Sequence, residues 1–204
     1  TIHFIDVIES TTHFIDVIGN TLLMPFFALY VTQKFGVGMT QAGIILATNS
    51  VAGMIGSTIG GAMADRFGRR GIILFGLVVS ALSGLTLGFV NKFYMFYGLA
   101  VFVGLLGSAA HPAHQAMIAD ILPADKRSEG FGMMRVISNF AWIIGPTIGG
   151  FLASYNFLYL FLSDAVISII TAVLVFRLLP ETKPQPKEKV EDESLLQTLS
   201  GYRV

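Results

Sequence analysis

The residues in this chain best suited to chemistry handle protons and ion pairs rather than covalent bonds. Asp16 and Asp164 sit inside apolar stretches. A carboxylate is costly in hydrocarbon, so an acid kept there is a candidate for carrying a proton or a cation. Asp16 can also be read as an acid near a helix end that reaches back to water. His111 and His114 flank Pro112. An imidazole changes charge near neutral pH, and two histidines three apart on a helix could begin a metal site. No cysteine or nearby acid completes that shell, and a polar, proline-kinked helix is the plainer reading. Arg135 is another charge within an apolar stretch. For Arg135 and Asp164, structural hydrogen bonding stands beside any role in proton chemistry.

Two further patterns set geometry. Gly61 is followed by Asp65-Arg66-Phe67-Gly68-Arg69-Arg70. Its arginines can clamp carboxylates through two-pronged hydrogen bonds and hold one face of a helix bundle closed. Gly61 permits close helix contact, and Gly68 permits the tight turn. Asp65 could favour the positive end of a neighbouring helix. Asp120, at the end of a later apolar stretch, is an available partner for Arg69. The bland alternatives are an ordinary basic loop and a boundary acid facing water. Gly145-Pro146-Thr147-Ile148-Gly149-Gly150 combines a proline, which removes a helix hydrogen bond and bends the helix, with glycines four apart on one smooth face. A packing helix rich in glycine and proline is the plain reading here. Met133, Phe140 and Trp142 are expected to line helix contacts or an apolar cavity.

The elements that position these residues follow from composition. The chain has 204 residues, 53% hydrophobic and 13% charged, with a mean hydropathy of +0.70. Soluble domains carry about 25% charged residues, so lipid is the simplest solvent for this chain. Six apolar stretches can each span a bilayer: about Phe14 to Val31, Ala42 to Ala64, Ile72 to Val90, Phe93 to Leu122, Phe131 to Ala153 and Phe157 to Leu179. Helices are the open-chain structure that satisfies every backbone polar group in lipid, and the runs lack the alternation of a barrel. Arg66, Arg69, Arg70, Lys126, Arg127, Lys183, Lys187 and Lys189 lie in alternate loops, whereas the other loops carry only Lys34 and Lys92. The positive-inside rule then makes the N-terminus cytoplasmic.

Formal net charge is zero, which gives no support for a nucleic-acid partner. Without cysteine there is no disulfide or thiol chemistry. No cleavable signal peptide is expected at the start. His3-Phe4-Ile5-Asp6-Val7-Ile8 recurs residue for residue at His13-Phe14-Ile15-Asp16-Val17-Ile18, so residues 1–12 read as an irregular or artefactual N-terminal segment. Residues 13–179 form the six-helix bundle. From Pro180 the chain turns rich in proline, glutamate and lysine, and residues 180–204 read as a cytoplasmic linker, with Ser194–Leu199 able to begin an amphipathic helix.

The Gly61–Arg70 segment resembles the loop signature of the major facilitator superfamily, complete and in the expected loop. Gly145–Gly150 resembles that family's antiporter signature. Asp16, Gly19 and Pro25 are similar in spacing to the first helix of tetracycline- and multidrug-efflux members, which often also show an arginine like Arg135 and an aspartate like Asp164. The likeness runs from about Phe14 to Pro184. It implies an all-α membrane protein with six transmembrane helices in two inverted three-helix repeats, half of a twelve-helix fold. It also implies an Arg69–Asp120 pair that breaks when the cytoplasmic gate opens.

The function implied is proton-coupled efflux of drugs or small amphiphiles by alternating access across the bacterial inner membrane. The partners implied are a small-molecule substrate, protons, the lipid bilayer and a C-terminal six-helix half. No cofactor, metal or enzymatic activity is implied. One departure is Ala100, where many members carry an arginine four residues before the glycine matching Gly104, so that arginine's coupling role does not transfer. The rivals are a nutrient symporter, an intramembrane enzyme, for which no Gly-x-Ser-x-Gly motif is present, and a non-transporting assembly partner.

Overall fold

A computed structural model describes residues 2–182, with side chains from Val7 onward. Lys183, Lys187, Lys189 and the Ser194–Leu199 stretch lie outside the described residues. The elements among the described residues are all helical: α1 (Ile2–Leu23), a 3-10 turn (Met24–Phe26), α2 (Phe27–Phe35), α3 (Met39–Phe67), α4 (Arg69–Phe89), α5 (Phe93–Gly107), α6 (Ala110–Ile121), α7 (Arg127–Tyr155) and α8 (Phe157–Leu178). Six spans result, because α1 and α2 form one membrane crossing and α5 and α6 form another. The first crossing is interrupted at Pro25 and the fourth just before Pro112, where a proline cannot continue the ladder. Helix α7 runs without interruption through Pro146.

The second and third crossings have lengths of 29 and 21 residues, and the fifth and sixth 29 and 22. This repetition matches two three-helix units. Because each unit has an odd number of crossings, the second is inverted in the membrane. Packing follows the same symmetry. Helix α3 presents Ala52, Gly56, Gly60 and Ala64, all buried and four apart, to the fourth crossing. Helix α7 presents Ala141, Gly145 and Gly149, also buried and four apart, to α1. The middle helix of each unit thus lies on the first helix of the other. The third helices, α4 and α8, form the most extensive pair.

Such contacts need small residues because lipid supplies no hydrophobic drive between helices. A methyl group at Gly56 would run into the Leu105 carbonyl, and one at Gly60 into the Ala109 backbone. Gly61, read from the sequence as the close-contact residue, meets Pro112 at an ordinary 3.8 Å. The packed face of α3 is set by the four-residue repeat, which passes one position before Gly61.

Two apolar layers bracket the middle of the bundle. Ile8, Ile72, Ile73, Leu77, Met117 and Val175 pack at the end that carries Arg69. Phe27, Tyr30, Phe96 and Phe161 pack at the other, with the Tyr30 and Phe161 rings 4.8 Å apart. There the Tyr30 hydroxyl donates to the Leu87 carbonyl (3.3 Å) and Lys34 Nζ to the Gly88 carbonyl (2.8 Å). A cation on the last carbonyls of α4 satisfies groups that the helix itself leaves open.

One expectation is corrected. Residues 2–12, set apart as irregular, are helical and continuous with the first crossing; no glycine or proline interrupts them before Gly19. Met133, Phe140 and Trp142 are exposed on α7, whose contact face is made by the small residues that meet α1.

Candidate functional site

Polar groups gather at two levels. The first is the junction between α3 and α4. Gly68 has φ +104° and ψ 155°, a conformation essentially restricted to glycine, and it turns the chain between two helices with no intervening loop. The turn delivers Arg69 into the bundle, where it is buried. Its Nε donates to Asp120 Oδ2 at 3.1 Å, and its Nη1 donates to Asp65 Oδ1. One guanidinium therefore ties the end of α3 to the end of α6. Arg70 instead donates to the Phe176 carbonyl and lies over the Phe176 ring, 5.1 Å from its centre. Arg66 is exposed.

The N-terminus of α4 is met by a group not singled out from the sequence. Glu181 Oε1 accepts from the Arg70 backbone N–H at 3.2 Å, and the Thr182 carbonyl accepts from the Arg69 N–H at 3.3 Å. Asp65, read as a partner for a helix N-terminus, is engaged by the Arg69 side chain instead. The chain just after the sixth crossing is thus latched onto the arginine turn, and a carboxylate occupies the positive end of α4.

The second level lies within the membrane. Asp164 on α8 is buried. Its Oδ2 accepts from Ser80 Oγ at 3.4 Å, and Ser168 Oγ donates to Ser80 Oγ at 2.9 Å. Its other oxygen lies against Gly19, where an added methyl would sit 3.1 Å from Oδ1. Gly19 is three residues from Asp16, which lies close enough to Asp164, His114 and His111 to interact electrostatically. Asp16 is partly exposed, and Asn20, one turn on, is exposed on the same side. His111 is exposed on α6 and accepts from the Gln115 amide at 3.3 Å. The structure therefore brings Asp16, Asp164, His111 and His114 around α1, whereas Arg135 stands apart, exposed on α7.

Glu9 and His13 join this level and were not singled out from the sequence. Glu9 is 0% exposed, His114 2% and His13 5%. His114 Nδ1 is 2.8 Å from Glu9 Oε1, and His13 Nε2 is 3.0 Å from Ser138 Oγ. The two imidazole rings are 5.4 Å apart. The available signal was the spacing of Glu9, His13 and Asp16, which places three protonatable residues along one face of a helix. Among the described residues no three such side chains converge as a metal-ligand set.

The seam between α1 and α7 closes tightly beside this level. A methyl at Gly145 would strike Thr21, and one at Gly149 the Leu22 carbonyl; Gly150 faces the Phe26 ring. Thr21 Oγ1 donates across the seam to the Ala141 carbonyl at 3.3 Å. On the other side of the bundle, Ala100 is buried, and its carbonyl accepts from the Asn49 amide at 2.6 Å. An apolar groove of about 380 Å³, lined by residues including Ile18, Leu22, Leu152 and Val166, opens between α1, α7 and α8.

Six crossings in two inverted triplets, with an arginine shared between two carboxylates at one end, define one half of a secondary-transporter fold. The chain belongs to the Major Facilitator Superfamily, whose family model matches residues 10–204. It is 34% identical over 160 residues to a Na(+), Li(+), K(+)/H(+) antiporter of Planococcus maritimus, covering 76% of this chain and 37% of that protein. It is 28% identical over 166 residues to the quinolone resistance protein NorA of Staphylococcus aureus, covering 81% of this chain and 42% of that protein. The chain thus spans about two fifths of the curated relatives it matches. Among solved structures it resembles a peptide transporter crystallised with sulfate (TM-score 0.78, 17% identity, 96% of this chain and 43% of that one). It also resembles the human organic anion transporter MFSD10 (TM-score 0.74, 19% identity, 90% and 49%). At these identities the solved structures speak for the fold alone.

Proposed function

We propose that this chain forms the N-terminal half of a proton-coupled exporter of drugs or other small amphiphiles. It would work by alternating access against a second six-helix half. The observation that carries the proposal is the group of acids and histidines held around α1 inside the membrane, where ionisable residues are too costly to keep without use. Asp16 is partly exposed and Asp164 is buried close by; together they give a proton two neighbouring sites. The Gly145/Gly149 seam supports antiport through its likeness to the antiporter signature and through the drug-resistance relative. The apolar groove suits an amphiphile better than a polar nutrient, and no nucleophile points to enzyme chemistry. In this reading Arg69, Asp65 and Asp120 close the cytoplasmic end of a bacterial inner-membrane protein whose N-terminus is cytoplasmic.

A second reading is monovalent-cation/proton exchange. It is favoured by the concentration of carboxylates (Glu9, Asp16 and Asp164) and by the name of the Planococcus relative. One experiment separates the two. The full-length protein is reconstituted inside-out in proteoliposomes with an acidic interior. Export by antiport requires ethidium to accumulate in the lumen as the pH gradient runs down. Cation exchange requires external Na+ or K+ to collapse the gradient while ethidium does not accumulate. A gradient that responds to neither overturns both.

A further inference from the structure

Glu9, His13 and His114 gather where α1, α6 and α7 meet, on the side of α1 that also carries the partly exposed Asp16. Each is almost wholly buried. Each also keeps one polar atom without a hydrogen-bond partner among the described residues: Glu9 Oε2, His13 Nδ1 and His114 Nε2. Buried polar atoms are nearly always paired, and leaving one unpaired costs about 1–3 kcal/mol. Three such atoms in one cluster are costly to keep in a merely structural element. All three share one chemical capacity, which is to accept a proton.

From this geometry we infer that Glu9, His13 and His114 form a second proton-holding site, distinct from Asp16 and Asp164, which passes protons between Asp16 and the end of the bundle that carries Arg69. The inference rests on the proton-coupled reading above and adds to it the residues of the route. The transfer is a proton relay in which no heavy-atom bond changes. A proton arrives at His114 Nε2 and makes an imidazolium. The Nδ1 proton then moves along the 2.8 Å contact to Glu9 Oε1. This leaves a neutral imidazole, now protonated at Nε2, and a carboxylic acid. His13, anchored to Ser138 by Nε2, offers its free Nδ1 as the neighbouring acceptor. The titratable groups facing His114 are Glu9, His13 and Asp16 from α1 and His111 from its own helix; from α7 the cluster meets the neutral Ser138 hydroxyl.

The test is made on the full-length protein in lipid nanodiscs with 15N-labelled histidine. The His114 ring signals are assigned by their loss in His114→Gln and followed from about pH 5 to pH 9. If His114 and Glu9 share a proton, they titrate as a pair, and Glu9→Gln displaces the His114 midpoint by about one pH unit or more. Asp16→Asn leaves the Glu9-dependent displacement in place. If Glu9→Gln does not fold, the reciprocal measurement uses His114→Gln and follows the buried-carboxyl band in infrared pH-difference spectra, which should lose or shift the component contributed by Glu9. A His114 midpoint unchanged in Glu9→Gln, a ring that holds one protonation state throughout, or an unmoved carboxyl band overturns the inference. Failure of proton-driven ethidium transport with the coupled titration intact would instead remove the transport reading and leave the proton site standing.

Discussion

Arg69 Nε lies 3.1 Å from Asp120 Oδ2, and the same guanidinium holds Asp65, so a single buried side chain joins the ends of two crossings. Replacing Asp120 with Asn leaves an oxygen that can still accept but removes the negative charge that pairs with Arg69, a loss of less than the about 1.5–3 kcal/mol of a well-shielded charged hydrogen bond because Asp120 is partly open to solvent. These 204 residues contain no cysteine, so Gln115→Cys on the open face of α6 serves as the reporter in a background from which any cysteine elsewhere in the full-length protein has been removed. In the full-length protein, Asp120→Asn should raise maleimide labelling at that cysteine from the Arg69 side by about fivefold, the effect of roughly 1 kcal/mol. An unchanged labelling rate would show that the pair does not hold that end shut.

The α1–α7 seam predicts a separation of folding from transport. Leucine at Gly149 keeps the helix apolar enough to insert, but its side chain meets the Leu22 carbonyl and the Phe26 ring. Overpacking costs typically 1–3 kcal/mol. Gly149→Leu should reach the membrane at near-normal levels and lose most transport. Loss of insertion and transport in equal measure would point to a folding defect alone.

Gly19 tests the approach of Asp164 to α1. A methyl there would sit 3.0 Å from Ile167 Cγ2 and 3.1 Å from Asp164 Oδ1, tighter than ordinary contact. Gly19→Ala should impair proton-driven transport while a methyl at Gly43, which meets nothing within 4 Å, leaves it unchanged. Equal behaviour of the two variants would mean that the carboxyl has room to move aside without consequence.

Glu181 tests the latch on the arginine turn. A carboxylate at a helix N-terminus contributes roughly 0.3–1 kcal/mol. Glu181→Ala should therefore lower the thermal unfolding midpoint by a few degrees and, like Asp120→Asn, increase labelling at Gln115→Cys. A variant as stable and as slowly labelled as the parent would reduce the latch to a surface contact.

Much of this architecture is legible in the amino-acid sequence. The six crossings follow from hydropathy alone, and the breaks at Pro25 and Pro112 follow from what proline removes. The Arg69 turn is readable because Gly68 and its neighbours have a specific spacing. What escapes is contact between distant segments. Nothing in the sequence says that Glu181 returns to the arginine turn, more than a hundred residues away. Nor does anything show that Glu9 meets His114, because Glu9 lies between the two copies of a repeat that looks like padding and pairs with a residue 105 positions on. Gly60, not Gly61, makes the close contact because helix rotation is fixed by the partner helix. The exposure of Trp142 and Phe140 follows from the same cause, since hydrophobic side chains in a membrane helix carry no label for the face they occupy.

The central claim is that an acid on α1 couples transport to protons, and Asp16→Asn tests it most directly. The amide keeps the shape and hydrogen-bonding capacity of the carboxyl and removes its titration. Full-length wild type and variant are reconstituted side by side, and ethidium flux is measured with and without an imposed pH gradient. The account predicts that the variant loses gradient-driven accumulation and keeps downhill ethidium exchange. A variant that concentrates ethidium against its gradient at the wild-type rate would contradict the account and make Asp16 structural.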